Sequence, residues 1–87
     1  MEIKKRDGLW VSGTHGGCEF QAKVYDKGSM FGIDAGRVSK LCVWRKESHH
    51  TVFNYDRGYD VNPETAEERE IVKAIILELE RLPKLWS

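Results

Sequence analysis

Three groups of residues in this chain are of a kind that could do chemistry. The first is the stretch "FGIDAGRVSKL", residues 31–41, where Gly32 and Gly36 stand four apart ahead of Arg37 and Lys40. Glycines followed by cations can form a phosphate cradle. A Walker loop, however, reads G-x-x-x-x-G-K-[S/T] and opens a helix whose N-terminus receives the phosphate. Here the glycines are one residue too close, and the following "RVSKLCVW" is β-branched and aromatic rather than helical. The stretch reads better as a hairpin, with residues 31–33 in one strand, Asp34-Ala35-Gly36 as the turn and Arg37 onward in the next strand. That reading expects a positive φ at Gly36.

The second group holds possible metal ligands and nucleophiles. His15 and Cys18 are three apart, and His49-His50 lies far along the chain. Zinc takes about four ligands at set spacings, and no second C-x-x-C or H-x-x-x-H is present. Cys18 falls in the apolar register of a strand, where a thiol is inert unless a base is packed against it. Asp56 and Asp60 flank Arg57, an arrangement that suits turns and ion pairs better than acid–base work. No catalytic motif emerges, so the expectation is a protein that is not an enzyme and needs no cofactor.

The third group is looser. Arg37, Lys40 and Arg57 lie on strands or at strand ends near Trp44, Tyr55 and Tyr59. Rings interleaved with cations can stack a base and hold a phosphate. These six residues form the candidate binding surface, and Trp44 and Tyr55 are its most direct tests.

The chain that must position them has 87 residues, enough for one domain, residues 1–87. A chain of this size buries only about 60–65% of its unfolded surface. Hydrophobic residues make up 40% and charged residues 32%, a folded rather than disordered balance. No apolar run approaches the roughly 18 residues of a membrane span. The N-terminal "MEIKKRDG" lacks the apolar segment of a secretory signal, so the expected location is cytoplasmic. Fourteen basic side chains balance fourteen acidic ones, which argues against a nucleic-acid partner. Cys18 and Cys42 are the only cysteines and are expected as free buried thiols.

The elements follow from periodicity. "GLWVSG" is bounded by glycines and rich in β-formers, and "THGG" reads as a turn. "CEFQAKVY" alternates, with Cys18, Phe20, Ala22 and Val24 on one face. "DKG" reads as a second turn, and "SMFGI" as a short strand. "RVSKLCVW" reads as a long strand whose faces do not separate cleanly, either because both are partly covered or because a bulge shifts the register near Lys40, and "TVFNYD" as a further strand. Residues 63–82 read as an amphipathic helix. Its start is offered either by Asn62-Pro63 or by a capping box of Thr65 and Glu68. Ile71, Val72, Ile75, Ile76, Leu79 and Leu82 fall within an arc of about 140°, with Leu77 pointing away. The expected fold is α+β: an antiparallel meander of four to five strands over residues 8–57, with one C-terminal helix packed on one sheet face. Residues 83–87 form a short tail carrying Leu85 and Trp86. The opposite sheet face is the natural place for function.

"GLWVSG", "FQAKVYDKGSMFGIDAGRVSKL" and "FNYDRGYDV" resemble a family of small uncharacterised proteins of Gram-positive bacteria and their phages and prophages. The resemblance runs from Leu9 to the helix. It implies a mobile-element setting and carries no catalytic residues. Two functions are expected from all this. One is a binding module acting through protein contacts, by self-association or with a host or phage partner, as a counter-defence protein would. The other is binding or sequestration of a nucleotide or another small anion.

Overall fold

The computed structural model describes residues 1–84. Among them, six antiparallel strands form one sheet in the order β1-β2-β3-β4-β5-β6, followed by one helix. The strands are β1 (Glu2–Asp7), β2 (Trp10–His15), β3 (Cys18–Val24), β4 (Val38–Arg45), β5 (Thr51–Asp56) and β6 (Tyr59–Val61); the helix α1 spans Ala66–Glu80. The sequence expectation of four to five strands misses both edges. β1 is lysine-rich with a register shift at Lys4, and β6 has only three residues. Short, charged or bulged edges resist pairing with other chains, and that same composition hides them from an apolar pattern.

The turns follow local chemistry. His15 pairs with Cys18 across Gly16 and Gly17, both at positive φ, as a two-residue hairpin turn requires. "SMFGI" is not a strand. Residues 25–37 form an irregular connection with a single 3-10 turn at Ile33–Ala35. Gly36 has φ −90°, so the expected positive φ is not there; it falls instead on Asp34 (50°) and Ala35 (59°). The two glycines are needed for space. A Cβ on Gly32 would run into the Gly36 carbonyl, and one on Gly36 would run into the Glu80 carboxylate.

The alternation in β3 holds: Cys18, Phe20, Ala22 and Val24 are all buried. Together with Val11, Leu41, Val43, Phe53 and Tyr55 they form one apolar sheet face. Ile71, Val72, Ile75 and Leu79 of α1 cover it. Leu77 points away from the core, 51% exposed. Ser39 is the extra residue of a bulge in β4, since Lys23 pairs with Lys40 while Val24 pairs with Val38. The helix starts at the second of the two expected positions. Thr65 caps it by accepting from the Glu68 amide (3.1 Å), and the Glu68 carboxylate accepts from the Glu64 amide. Asn62-Pro63 lies outside the helix.

Two arginines at opposite ends of β4 hold α1 on this face. Arg45 pairs with Glu68 (3.1 Å) in the first turn of the helix. Arg37 grips the other end. Its Nη1 donates to the carbonyls of Glu80 (2.9 Å) and Leu82 (2.6 Å), and its Nε donates to the Tyr25 carbonyl (2.8 Å). The Glu80 carboxylate accepts in return from the amides of Arg37 and Val38. Arg6 adds a bond to the Pro83 carbonyl (2.8 Å). Carbonyls at a helix C-terminus lack partners within the helix and carry partial negative charge, so cations there stabilise it. The tail residues Leu85 and Trp86, whose docking the sequence leaves open, lie outside the described residues. Among those described, no helix is long and apolar enough to cross a membrane.

Candidate functional site

With α1 pinned to one face, no helix among the described residues covers the other face of the sheet. The strand registers arrange its side chains in rows that run across the strands. One row reads Asp7, Trp10, Lys23, Lys40, Asp56 from β1 to β5. The next reads Lys5, Ser12, Gln21, Cys42, Asn54. Neighbours within a row stand about 4.8 Å apart, and rows are separated by about 6.8 Å.

The first row contains an electrostatic anomaly. Lys23 and Lys40 sit directly opposite each other, and like charges in that relation destabilise a sheet. Lys40 is partly offset by Asp56 at 3.8 Å, but both side chains are well exposed, so the pair is weak. Lys23 has no carboxylate partner in any ion pair among the described residues. Its Nζ instead lies 5.8 Å from the Trp10 ring and 5.3 Å from the Tyr25 ring. Lys40 also approaches Trp10, at 6.0 Å. Arg57, in the turn after β5 at φ 60°, lies over the Phe31 ring at 5.4 Å.

These groups enclose a hollow of about 140 Å³ lined by Lys23, Tyr25, Ser29, Phe31, Lys40 and Arg57, with the bulge residue Ser39 beside them. Three cations, two rings and three hydroxyls thus meet in one concavity. Its outer wall comes from the irregular connection after β3, through Tyr25, Ser29 and Phe31. A second hollow, of about 250 Å³, lies on the other side of Trp10 and is lined by Lys5, Asp7, Trp10, Val11, Ser12 and Gln21. Trp10, 42% exposed, stands between the two.

The six residues singled out in the sequence divide. Lys40 and Arg57 come together in the cationic hollow. Arg37 does not join them, because its guanidinium is committed to the helix end. Trp44 lies on the open face two rows away and donates its indole N–H to Glu19 (3.2 Å). Tyr55 is buried on the helix-covered face, its hydroxyl donating to the Phe31 carbonyl (2.9 Å). Tyr59 lies beside it at the β6 edge, edge-on to Tyr55 at 4.9 Å. Burial, with Asp34 nearby, raises its phenol pKa above the ordinary value.

Trp10, Lys23, Tyr25 and Phe31 complete the hollows and were missed as site residues. Alternation places Lys23 outward, but only the strand register shows that it faces Lys40. The cysteines are both free, on opposite faces, and burial raises both thiols above their ordinary pKa. Cys18 is buried as expected, while Cys42 is half-buried on the open face. Among the described residues, no three His, Cys, Asp or Glu side chains converge as metal ligands.

Fold and face define a small α+β protein with one sheet surface sealed by a helix and the other left open. Residues 9–80 match DUF7678, a domain of unknown function, and the chain belongs to that family. No curated protein and no solved structure matches it.

Proposed function

We propose that this protein is a non-enzymatic binding module that holds a small phosphate-bearing metabolite on the open face of its sheet. The observation that carries this reading is the Lys23–Lys40 juxtaposition, joined by Arg57 in one hollow. Three cations facing one concavity repel each other when it is empty, and an anion between them turns that repulsion into attraction. Tyr25, Phe31 and Trp10 supply ring faces beside the charge, so the ligand has a flat portion as well as an anionic one. The overall charge balance fits a small ligand better than a long polyanion. A cytoplasmic location in a phage or prophage setting, where sequestering a host metabolite would be useful, belongs to the same proposal.

The test is thermal unfolding with a panel of nucleotides and inorganic phosphates. A ligand at a hundredfold excess over its Kd adds about 2.7 kcal/mol of stability. The reading requires such a shift in wild type and its loss in Lys23→Gln and Arg57→Gln. A panel without any shift overturns it.

A second reading has its own observation. The outward side of α1 presents Ala74, Ile76 and Leu77 in a shallow depression with Asp34, Lys73 and Glu80. This apolar strip suits a protein partner, whether a second copy or a host or phage protein. Sedimentation that shows a strict monomer, with Leu77→Lys unaltered in every respect, counts against it.

A further inference from the structure

The second hollow makes the ligand more specific. Its residues extend the Trp10–Lys23–Lys40 row toward β1, and the three side chains that can read a flat heterocycle each offer something different. Trp10 gives an exposed ring face for stacking. Asp7, directly across from Trp10, gives a carboxylate that can only accept hydrogen bonds. Gln21, paired with Ser12 in the neighbouring row, gives an amide that donates and accepts. Asp7 has no ion-pair partner among the described residues, and no lysine is paired with it across the strands. The Asp7 carboxylate stands at the rim of the hollow beside the Trp10 ring, with Lys5 in the same lining, and its two oxygens can accept from adjacent donors on a ligand.

We propose that the ligand is a guanine nucleoside phosphate, with its base stacked on Trp10 and its phosphates between Lys23, Lys40 and Arg57. Guanine is the base whose Watson–Crick edge places two donors, N1–H and N2–H, side by side, where both oxygens of Asp7 can accept them. Adenine and cytosine present an amino group next to an acceptor, and uracil presents one N–H between two carbonyls, so each leaves a carboxylate oxygen facing a lone pair. The Gln21 amide N–H can then serve the guanine O6. The dimensions agree: Asp7 and Lys40 are three strand spacings apart, about 14 Å, the extended reach of a nucleoside phosphate. This inference rests on the anion-binding reading of the face but goes further, because it assigns the base as well as the charge.

Titration calorimetry on the full chain, with GMP, GDP, AMP, CMP, UMP, guanosine and pyrophosphate as probes, tests it. GDP and GMP are expected to bind more tightly than the other nucleotides by a factor of about 5 to 150, the range of one bidentate base contact. Binding should quench tryptophan emission in wild type and leave it unchanged in Trp10→Phe. Asp7→Asn retains the turn chemistry ahead of Gly8. It should abolish the guanine preference and leave pyrophosphate affinity as it was, an outcome that no general loss of structure would give. Pyrophosphate binding as tightly as GDP, or equal affinity for all four bases, overturns the guanine assignment while leaving the anion site standing. No binding by any probe overturns both. Affinity for single-stranded oligonucleotides that grows with length and exceeds that for GDP also overturns the assignment, in favour of a nucleic-acid surface.

Discussion

Replacing Arg37 with alanine separates a structural arginine from a ligand-binding one. In the sequence Arg37 looks like part of a cationic surface, whereas in the structure it closes the helix end. Its side chain donates three hydrogen bonds to main-chain carbonyls, two of them at the C-terminus of α1. A hydrogen bond to a charged group is worth about 1.5–3 kcal/mol in mutational series, and an added cation at a helix C-terminus about 0.3–1 kcal/mol. The three bonds share one guanidinium and water replaces them in part, so the terms do not add in full. A loss of about 2–4 kcal/mol follows. For a domain of this size each kcal/mol moves Tm by about 4–8 °C, so Arg37→Ala should lower Tm by at least about 8 °C. Below that Tm, ligand affinity should be unchanged, because the guanidinium does not reach the open face. Calorimetric unfolding and titration of the same variant provide both readings. An Arg37→Ala protein with wild-type Tm and no ligand binding would refute the assignment and return Arg37 to the binding surface.

Other substitutions test other parts of the fold. Ala35 holds a φ of 59°, a region where a Cβ costs about 1–2 kcal/mol. Ala35→Gly relieves that and loses part of the gain to greater freedom of the unfolded chain, so Tm should rise by a few degrees; a fall would show the loop to be set otherwise. Thr65→Ala removes the helix cap and should cost about 1 kcal/mol in denaturant unfolding, with the m-value unchanged. Glu68 is buried, which on its own would raise its pKa; hydrogen bonds from the Glu64 amide, Arg45 and the Thr65 backbone amide outweigh this and hold it below the ordinary value. Its contribution is therefore present above the unfolded-state pKa and is lost as pH falls through the lower folded value. Glu68→Gln should flatten the fall of stability below about pH 4.5, and identical acid profiles for the two proteins would show that Glu68 is not a main cause of acid unfolding.

Much of the fold is legible in the sequence because burial imposes a period. β3 alternates cleanly since only one of its faces meets the helix. α1 shows its stripe for the same reason, down to the outward Leu77. The edges are less legible: β1 is chosen for charge rather than for apolar content, and β6 is too short to show a period. The connection over residues 25–37 deceives because its apolar residues, Met30 and Phe31, look strand-like yet stay exposed, Phe31 in the lining of the cationic hollow. The site is only half legible. Residue type alone groups Arg37 with Lys40 and Arg57. What distinguishes them is which groups lie across the strand, and that depends on register. Lys23 faces Lys40 through the same register that pairs Cys18 with Arg45, and Arg37 turns to the helix because Gly36 leaves room for Glu80. Neither fact has a signature in composition or periodicity.

The central claim concerns which face of the sheet does the work. Amide chemical-shift mapping of the isotope-labelled protein during titration with GDP tests it most directly. The account predicts shifts concentrated at Trp10, Lys23, Lys40 and Arg57, weakening with salt as charge contacts are screened, and quiet amides at Ala74 and Leu77. Shifts confined to the outward side of α1, or none at saturating nucleotide, would contradict it.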